Sequence, residues 1–538
     1  MTLPEDYHKR VYAGVLGKTI GVYLGRPFEG WTYERIQARL GDIEYYVHDK
    51  VGVPLLVTDD DIAGTFAFLR TLMDNGFDPE LSAQAMGEGW LNYLIEGKTV
   101  LWWGGLGNST EHTAYLRLKN GVKAPASGSA ALNSQVVSEQ IGAQIFIDGW
   151  AMVSPGDPDQ AAKLAERAAK VSHDGEAVHG AVALAVMEAM AFVERDTNRL
   201  LDKALEYIPG DSVIASMIGD IRRWHQREPD WRVAREMLSE QYGYDTYGGN
   251  CHIVPNHGLI ILALLYGNDD FSDTLKIINT CGWDTDCNSG NLGCLMGIKE
   301  GLAGIDVGLS RGLDWRGPVA DRIYVPTADP SWSISDCVLE TQHIVNAALA
   351  LRGDQAWRPK SGAQFHFDMP GSVQGFTVTD GDGVITNQLG VSQAGQHALR
   401  LQGQGLARFG TPTFAPSADF AAWTEQSWNP YPLIASPRVY PGQILNATLL
   451  QGEGASVRLY VAYYDANDDV QRVYSAAQSV NERADLSFSI PEQAFPAFEV
   501  GVETAGTVYL DCLGWSGEPR YIGTRPPGRR RGGATGRR

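Results

Sequence analysis

The hydrophobic pattern of this chain changes its period near Gly353, and that change limits the folds open to it. From Tyr7 to Gly353 the apolar residues recur at helical spacing, whereas beyond Gly353 they alternate between turns. A chain of 538 residues also exceeds the size at which one hydrophobic core keeps growing. The sequence therefore predicts an all-α domain over residues 1–353 and an all-β sandwich of jelly-roll type over residues 354–523.

Several segments carry more specific predictions. Residues 157–173 and 231–243 show amphipathic helical faces with caps. Residues 176–192 are apolar almost all round, as are residues 254–267, which is typical of helices in the middle of a bundle. In the β-rich part, residues 458–475 and residues 498–515 are each predicted to form a hairpin.

Charge and cysteine usage exclude some classes of partner. The formal net charge of −20 argues against binding to nucleic acid backbones or to anionic membranes, both of which require basic patches. The six cysteines form no CxxC pair, no secretory segment is visible, and no run is long enough to span a bilayer. These features predict a cytoplasmic protein. The Arg-rich end, residues 524–538, is predicted to be a disordered, solvated tail.

Two acidic clusters, TDDD at Thr58 to Asp61 and WDTDC at Trp283 to Cys287, carry the chemistry. Each places hard oxygen ligands in a turn that opens an apolar stretch, and carboxylates so crowded repel one another unless a cation or a proton neutralises them. Thr58 is predicted to cap the first helix, with Asp59 and Asp60 pointing off its first turn. A divalent metal site is the first hypothesis. Acids that only cap two helices are the alternative.

The order of the motifs resembles that of the ADP-ribosylglycohydrolase family. GVLGKTIGVYLGRPFEG (Gly14 to Gly30) is followed by TDDD and then by CGWDTDCNSGNLGCLMG, and the resemblance covers roughly residues 7–350. The family includes the dinitrogenase reductase-activating glycohydrolases and the J1-type crystallins. The resemblance implies an all-α fold around two magnesium ions, with manganese as the alternative, that hydrolyses a glycosidic bond of a ribose.

The resemblance also assigns roles to individual residues. It implies that Glu29 or Asp60 acts as the catalytic base. Cys287 stands where the family usually has Thr, and a thiol is a poor ligand for a hard magnesium ion. The second metal position is therefore expected to be empty or to hold a softer metal. The implied metal ligands are Thr58, Asp59, Asp60, Asp284 and Asp286.

Candidate substrate-binding residues lie between the two acidic clusters. The tryptophans at 102 and 103 precede glycines, an arrangement that suits a wall stacking on a flat ring, although such a pair can equally pack a loop onto the core. For Asp148 and His173, the alternatives are a capping role and a structural role. The full set is Trp102, Trp103, Gly105, Glu111, His112, Asp148, His173 and His252.

The expected function is magnesium-dependent hydrolysis of a ribosyl bond. The expected substrate is an ADP-ribosylated protein or an ADP-ribose derivative; the alternative is a smaller ribosyl glycoside or nucleoside. A non-catalytic, crystallin-like structural or binding protein is the alternative from another class. The β domain is expected either to pack or dimerise, giving a homo-oligomer, or to bind carbohydrate through exposed aromatic residues. The aromatic candidates are Tyr460, Tyr463, Tyr464 and Trp515.

Overall fold

A computed structural model of the protein describes residues 3–99, 101–415, 431–452 and 454–520. Residues 3–357 form one compact unit together with residues 431–434. The other described residues, from 358 to 415 and from 435 to 520, form a second unit. The first unit is helical and the second is an antiparallel β structure, as the change of period predicts. The predicted basic tail lies outside the described residues.

The helical unit contains nineteen described α-helices and one short two-stranded sheet. The strands of that sheet are β1 (Arg322–Tyr324) and β2 (Ile334–Asp336), paired antiparallel. The helices are α1 (Tyr7–Gly25), α2 (Tyr33–Arg39), α3 (His48–Val51), α4 (Asp60–Asp74), α5 (Ala83–Tyr93), α6 (Thr110–Lys119), α7 (Ala130–Asn133), α8 (Gln135–Ser138), α9 (Gly142–Ile145), α10 (Asp148–Met152), α11 (Pro158–Ala169), α12 (Glu176–Ala191), α13 (Thr197–Leu205), α14 (Val213–His225), α15 (Trp231–Tyr242), α16 (Ile253–Tyr266), α17 (Phe271–Cys281), α18 (Thr285–Asp306) and α19 (Cys337–Leu351).

The predicted helices of the first unit are confirmed. α11 and α15 lie within the two amphipathic segments, and each begins at an aspartate whose side chain accepts a backbone hydrogen bond. α12 and α16 occupy the two apolar segments, and almost all of their residues are buried. Helices without a polar face can be stable in water only when other helices surround them, so these two form the centre of the bundle.

The closest helix packing in the unit joins α1 to α18, which run antiparallel. Gly17, Gly21 and Gly25 recur every fourth residue and so share one face of α1. A Cβ at Gly17 would lie 2.0 Å from the carbonyl oxygen of Gly293, and one at Gly25 would lie 2.4 Å from that of Thr285. The two backbones therefore touch along the whole interface, and the start of α18 lies beside the end of α1.

The β unit is built around two long strands. β5 pairs with β11 along almost the whole length of β5, and the other edge of β11 pairs first with β7 and then with β6. A core of buried aliphatic and aromatic residues fills the unit. The strands are β3 (Thr377–Asp380), β4 (Gly383–Leu389), β5 (His397–Pro412), β6 (Ile444–Leu450), β7 (Ala455–Tyr464), β8 (Val470–Tyr474), β9 (Gln478–Val480), β10 (Arg483–Ser489) and β11 (Ala497–Ser516).

One predicted hairpin is confirmed and the other is wrong. Residues 458–475 form the antiparallel pair of β7 and β8. Residues 498–515 lie in the single strand β11, because Gly506, whose φ is +96°, forms a bulge against β5 instead of a turn. Of the aromatic candidates for sugar stacking, Tyr460 is fully buried, and Tyr464 stacks on Phe498 with ring centroids 4.4 Å apart. These two rings serve packing.

All six cysteines are free thiols, and four of them are buried. Among the described residues no helix is both long enough and apolar enough to cross a membrane.

The packing of α1 on α18 leads to a test of stability. A Cβ at Gly21 would lie 2.1 Å from the carbonyl oxygen of Ser289, so Gly21→Ala must push the two helices apart. We expect the free energy of unfolding to fall by about 1–3 kcal/mol, as overpacking of a tight interior does. Gly210→Ala is the control, because a Cβ there has no neighbour within 4 Å. Denaturant unfolding measures both; equal stability of the two variants would contradict this account of the interface.

Candidate active site

The two acidic clusters lie at the starts of two helices. Asp59 is the N-cap of α4, and its Oδ1 accepts a hydrogen bond from the backbone N–H of Asp61 at 3.0 Å. The predicted cap, Thr58, instead donates its hydroxyl to the carbonyl oxygen of Tyr431. Asp284 holds the N-cap position of α18 without capping it, so its carboxylate is available to other groups. Both clusters thus sit at the positive ends of helix dipoles, which favour negative charge.

Backbone hydrogen bonds attach a third acidic residue to this pair. The N–H of Gly30 donates to the carbonyl oxygen of Trp283 at 2.8 Å, and the N–H of Trp283 donates to that of Trp31 at 2.8 Å. This pairing fixes the turn that carries Glu29 next to the start of α18. One carboxylate oxygen each of Glu29, Asp284 and Asp286 lie within 4.8 Å of one another. Glu29 therefore lies beside the second cluster.

The carboxyl groups of the site repel one another. Burial raises the pKa of Asp59 to about 6, and the neighbouring Asp286 adds to the rise while Arg26 opposes it. Burial and the charge of Asp59 raise the pKa of Asp60 well above its usual range, and burial and Asp286 do the same for Asp284. Such groups ionise together only when a positive charge joins them.

Two buried cations already lie against the cluster. The guanidinium of Arg26 places Nε 3.2 Å from Oδ2 of Asp59 and Nη1 3.6 Å from Oδ2 of Asp286, and Nη1 also pairs with Glu29. Lys18 places its Nζ 2.8 Å from Oδ2 of Asp148 and 4.0 Å from Oδ1 of Asp61. Lys18 therefore forms its closer ion pair with Asp148 and a more distant one with the first acidic cluster.

Cys287 takes part as a hydrogen-bond donor. Its Sγ lies 3.3 Å from Oδ2 of Asp61, and burial, with Asp284 and Asp61, raises the pKa of the thiol well above its usual range. The thiol therefore stays protonated at neutral pH. The other oxygen of this carboxylate, Oδ1 of Asp61, is buried without a hydrogen-bond partner among the described residues.

The carboxylates open onto a cavity of about 630 Å³. Glu29 stands at its rim with 41% of its side chain exposed. The other described lining residues are Arg26, Gly30, Thr32, Asp60, Asp61, Trp102, Glu111, Ile141, Gly142, Ile145, Tyr244, Asn250, Cys251, Trp283, Asp284, Cys287 and Tyr431. The cavity is large enough for a small organic molecule.

Two of the predicted substrate-binding residues, Trp102 and Glu111, line this cavity. Burial raises the pKa of Glu111, whose carboxylate accepts a hydrogen bond from Ser109. Tyr431 also lines the cavity, although in sequence it follows β5. Burial and the charge of Asp60 raise the pKa of its phenol, which therefore remains a proton donor beside that carboxylate.

The other predicted substrate-binding residues lie outside the lining. Trp103 donates from Nε1 to the carbonyl oxygen of Thr99, and its ring packs edge-on against His112. The N–H of Gly105 donates to Nδ1 of His112 at 3.0 Å, so these three residues fix the loop before α6.

Three predicted residues lie deeper in the unit. Asp148 is fully buried between Lys18 and Asn291. Burial lowers the pKa of His173 to about 3, so the imidazole is neutral, and its Nε2 accepts from the N–H of Ala143. His252 caps α16. These contacts support structural roles for all three residues, which the sequence had left open for Asp148 and His173.

Sequence reasoning missed Arg26, Lys18, Asp61 and Tyr431. Arg26 and Lys18 both belong to the motif GVLGKTIGVYLGRPFEG. A basic residue in such an apolar, glycine-rich segment could have indicated a buried cation. A buried cation needs a buried anion, which these two residues find in Asp148 and in the acidic clusters. For Tyr431 the sequence holds no such signal.

The residues present fit a divalent cation. Hard oxygen ligands converge from two helix starts, the carboxylates repel one another in the absence of added positive charge, and Oδ1 of Asp61 is buried without a hydrogen-bond partner among the described residues. The three carboxylates of Asp59, Asp60 and Asp61 place oxygens within 4.8 Å of one another. The acidic clusters could therefore hold a metal ion.

Comparison with known proteins finds one family model and several similar solved structures. The family model described as ADP-ribosylglycohydrolase matches residues 3–333, more than half of the chain. Among solved structures, an "ADP-ribosylglycohydrolase-related protein complex" is similar with 18% identity and a TM-score of 0.43, covering 65% of this chain and 100% of the other. A xylan-binding domain of carbohydrate-binding module family 22 is similar with 16% identity and a TM-score of 0.21, covering 29% and 95%.

No curated protein matches significantly. The family model covers α1 to α18, both acidic clusters and the Glu29 turn. This chain belongs to the ADP-ribosylglycohydrolase family, a family of hydrolases that act on glycosyl bonds.

Proposed function

We propose that this protein is a divalent-metal-dependent hydrolase that transfers a ribosyl group to water, with Mg²⁺ as its cation and Mn²⁺ as the alternative. The observation that supports the proposal best is the convergence of acidic side chains from α4, from α18 and from the Glu29 turn on one wall of the cavity. Hydrolysis of a ribosyl bond passes through an oxocarbenium-like state, and a wall of carboxylates favours positive charge at that point.

The metal would be held by the carboxylates of the two clusters and by the hydroxyl of Thr58. When bound, a divalent ion orients vicinal hydroxyl groups and lowers the pKa of a coordinated water. The expectation of two ions meets one obstacle in this chain: the guanidinium of Arg26 lies between Asp59 and Asp286.

The catalytic base is assigned to Glu29. Its carboxylate is at the rim of the cavity, where water can reach it, whereas Asp60 lies inside the cluster against Asp59 and Tyr431. The pairing of Glu29 with Arg26 holds the carboxylate in one orientation, so that an oxygen can accept a proton from a water molecule attacking the anomeric carbon. Asp60 is the better candidate for a metal ligand.

The lining favours a neutral leaving group. Trp102 provides a flat surface on which a ring could stack. Among the described residues that line the cavity, Arg26 is the one cationic side chain, and carboxylates engage it from both clusters. A diphosphate would therefore meet more negative than positive charge. We place a ribosyl glycoside or nucleoside first among substrates, and an ADP-ribosyl compound second.

The division of roles between Glu29 and Asp60 can be tested directly. We expect Glu29→Gln to lower kcat by about 10²–10⁴-fold while Mn²⁺ binding persists, because only the proton acceptor is lost. We expect Asp60→Asn to weaken Mn²⁺ binding itself. The assay is release of ribose or ADP-ribose from nucleosides, ADP-ribose and an ADP-ribosylated peptide, with and without EDTA. Hydrolysis that survives chelation would refute the metal-dependent mechanism.

The raised pKa of Asp59 predicts a pH dependence in metal-free protein. Asp59 is protonated up to about pH 6 when folded but only up to about pH 3.9 when unfolded, so the folded state binds the extra proton in between. The free energy of unfolding therefore falls as the pH rises through this window, by on the order of 3 kcal/mol from this group. In Asp59→Asn this contribution is absent. Between about pH 4 and about pH 7, a range that includes both pKa values, the melting temperature should fall more steeply for the wild type than for Asp59→Asn. Parallel curves for the two proteins would contradict the prediction.

The two neighbouring tryptophans provide a matched pair for the substrate site. We expect Trp102→Ala to raise KM by about fivefold with a smaller effect on kcat, because a stacking contact worth about 1 kcal/mol is lost from bound substrate. Trp103→Ala removes packing against His112 and should lower the melting temperature instead. Steady-state kinetics and thermal unfolding of both variants separate the two effects. An unchanged KM in Trp102→Ala would remove this residue from the substrate site.

A further inference from the structure

Arg26 occupies a position that the backbone fixes. It follows α1 directly, and the contact of Gly25 with the Thr285 backbone holds the end of α1 against the start of α18. Only 11% of the Arg26 side chain is exposed. From this position the guanidinium contacts Asp59 of the first cluster, Asp286 of the second cluster and Glu29 of the rim.

The guanidinium of Arg26 contacts both acidic clusters, as a metal ion bridging them would. It carries its charge at every accessible pH, and its planar fork offers hydrogen atoms to several carboxylates at once. The oxygens of Asp59 and Asp286 that face it belong to opposite clusters, and they lie 3.2 Å and 3.6 Å from its nitrogens. A magnesium ion shared by those same oxygens would need both at about 2.0–2.1 Å, in the volume that the guanidinium fills.

We propose that Arg26 takes the place of one of the two divalent cations, so that the site binds one divalent ion per chain. This inference rests on the proposed metal-dependent function. The residues that would hold the remaining ion include Asp60 and Asp284, which line the cavity. The second buried cation, Lys18, does not compete for this position, because its Nζ is closest to Asp148.

The charge balance supports a mixed site. Asp59, Asp60, Asp61, Asp284 and Asp286 place five carboxyl groups in the two clusters. One guanidinium cannot neutralise them, so a divalent ion remains favourable. Two divalent ions together with Arg26 would carry as much positive charge as these five carboxylates carry negative charge. The ammonium group of Lys18, 4.0 Å from Asp61, would then add a further positive charge. One ion with Arg26 leaves a cluster that is still acidic toward an oxocarbenium-like state.

The number of bound ions tests the inference without reference to activity. The full-length protein, stripped with EDTA, is dialysed against Mn²⁺, and manganese per chain is measured by mass spectrometry and by electron paramagnetic resonance. We expect one ion per chain for the wild type and two for Arg26→Met, with the spin coupling of a close pair appearing only in the variant. Arg26→Lys, which keeps a positive charge, should retain one ion.

The control is Arg35→Met. Arg35 is an exposed residue of α2 whose guanidinium lies 3.9 Å from the centre of the Trp31 ring, and its loss should leave one ion per chain. Circular dichroism establishes that each variant is folded, and Arg26→Gln replaces Arg26→Met if the latter is not. Two ions in the wild type, or one ion in a folded Arg26→Met or Arg26→Gln protein, would overturn the inference.

Failure of the proposed function has a different signature. A wild-type protein that binds one Mn²⁺ but cleaves no ribosyl compound would leave the role of Arg26 intact and refute the proposed reaction. A wild-type protein that binds two ions and cleaves a ribosyl compound would do the reverse.

Discussion

The contact of backbone on backbone between α1 and α18 is the constraint on which the site depends. Glycines at every fourth position of α1 let the carbonyl groups of α18 approach to distances that a single methyl group would prevent. The end of α1, the Glu29 turn and the start of α18 are therefore held together by main-chain geometry. The side chains of Arg26, Glu29 and Asp286 start from these three backbone segments and are therefore close to one another.

The same rigid arrangement concentrates negative charge at the site. Buried carboxylates without enough positive charge oppose folding, and the raised pKa values at the two clusters express that opposition. The chain offsets part of it with Arg26 and Lys18, whose own burial is tolerable only because acids surround them. What remains uncompensated is available to bind a cation and to favour a positively charged reaction centre, so the same groups that weaken the fold equip the site.

Much of the architecture follows from local pattern. The change of period at Gly353 separated the two classes of structure, and the apolar segments of α12 and α16 announced a buried bundle, because burial on all sides leaves no polar face. The two acidic clusters were visible as helix starts with too many carboxylates. The error at residues 498–515 arose because a glycine in a bulge and a glycine in a turn look alike until the partner strand is known.

The full set of residues that form the site could not be predicted from local sequence patterns. Acidic residues of the two clusters lie close together, but the cations beside them were missed, since a sequence does not state which buried acid a lysine or an arginine will meet. Trp103, His112, His173 and His252 were attractive by residue type, yet their hydrogen bonds go to backbone and loop groups close to them. Residue type indicates what a side chain is able to do; distance in space decides whether it does so.

Tyr431 has a consequence for the independence of the helical unit. This residue is separated from α19 by the first strands of the β unit, yet it supplies a wall of the cavity and a carbonyl oxygen for Thr58. A gene that ended after the last helix would encode every acidic side chain of the site and still lack part of its enclosure. The helical unit is therefore discontinuous in the sequence, and a chain that replaced the residues after α19 would still have to bring a tyrosine back to this cavity.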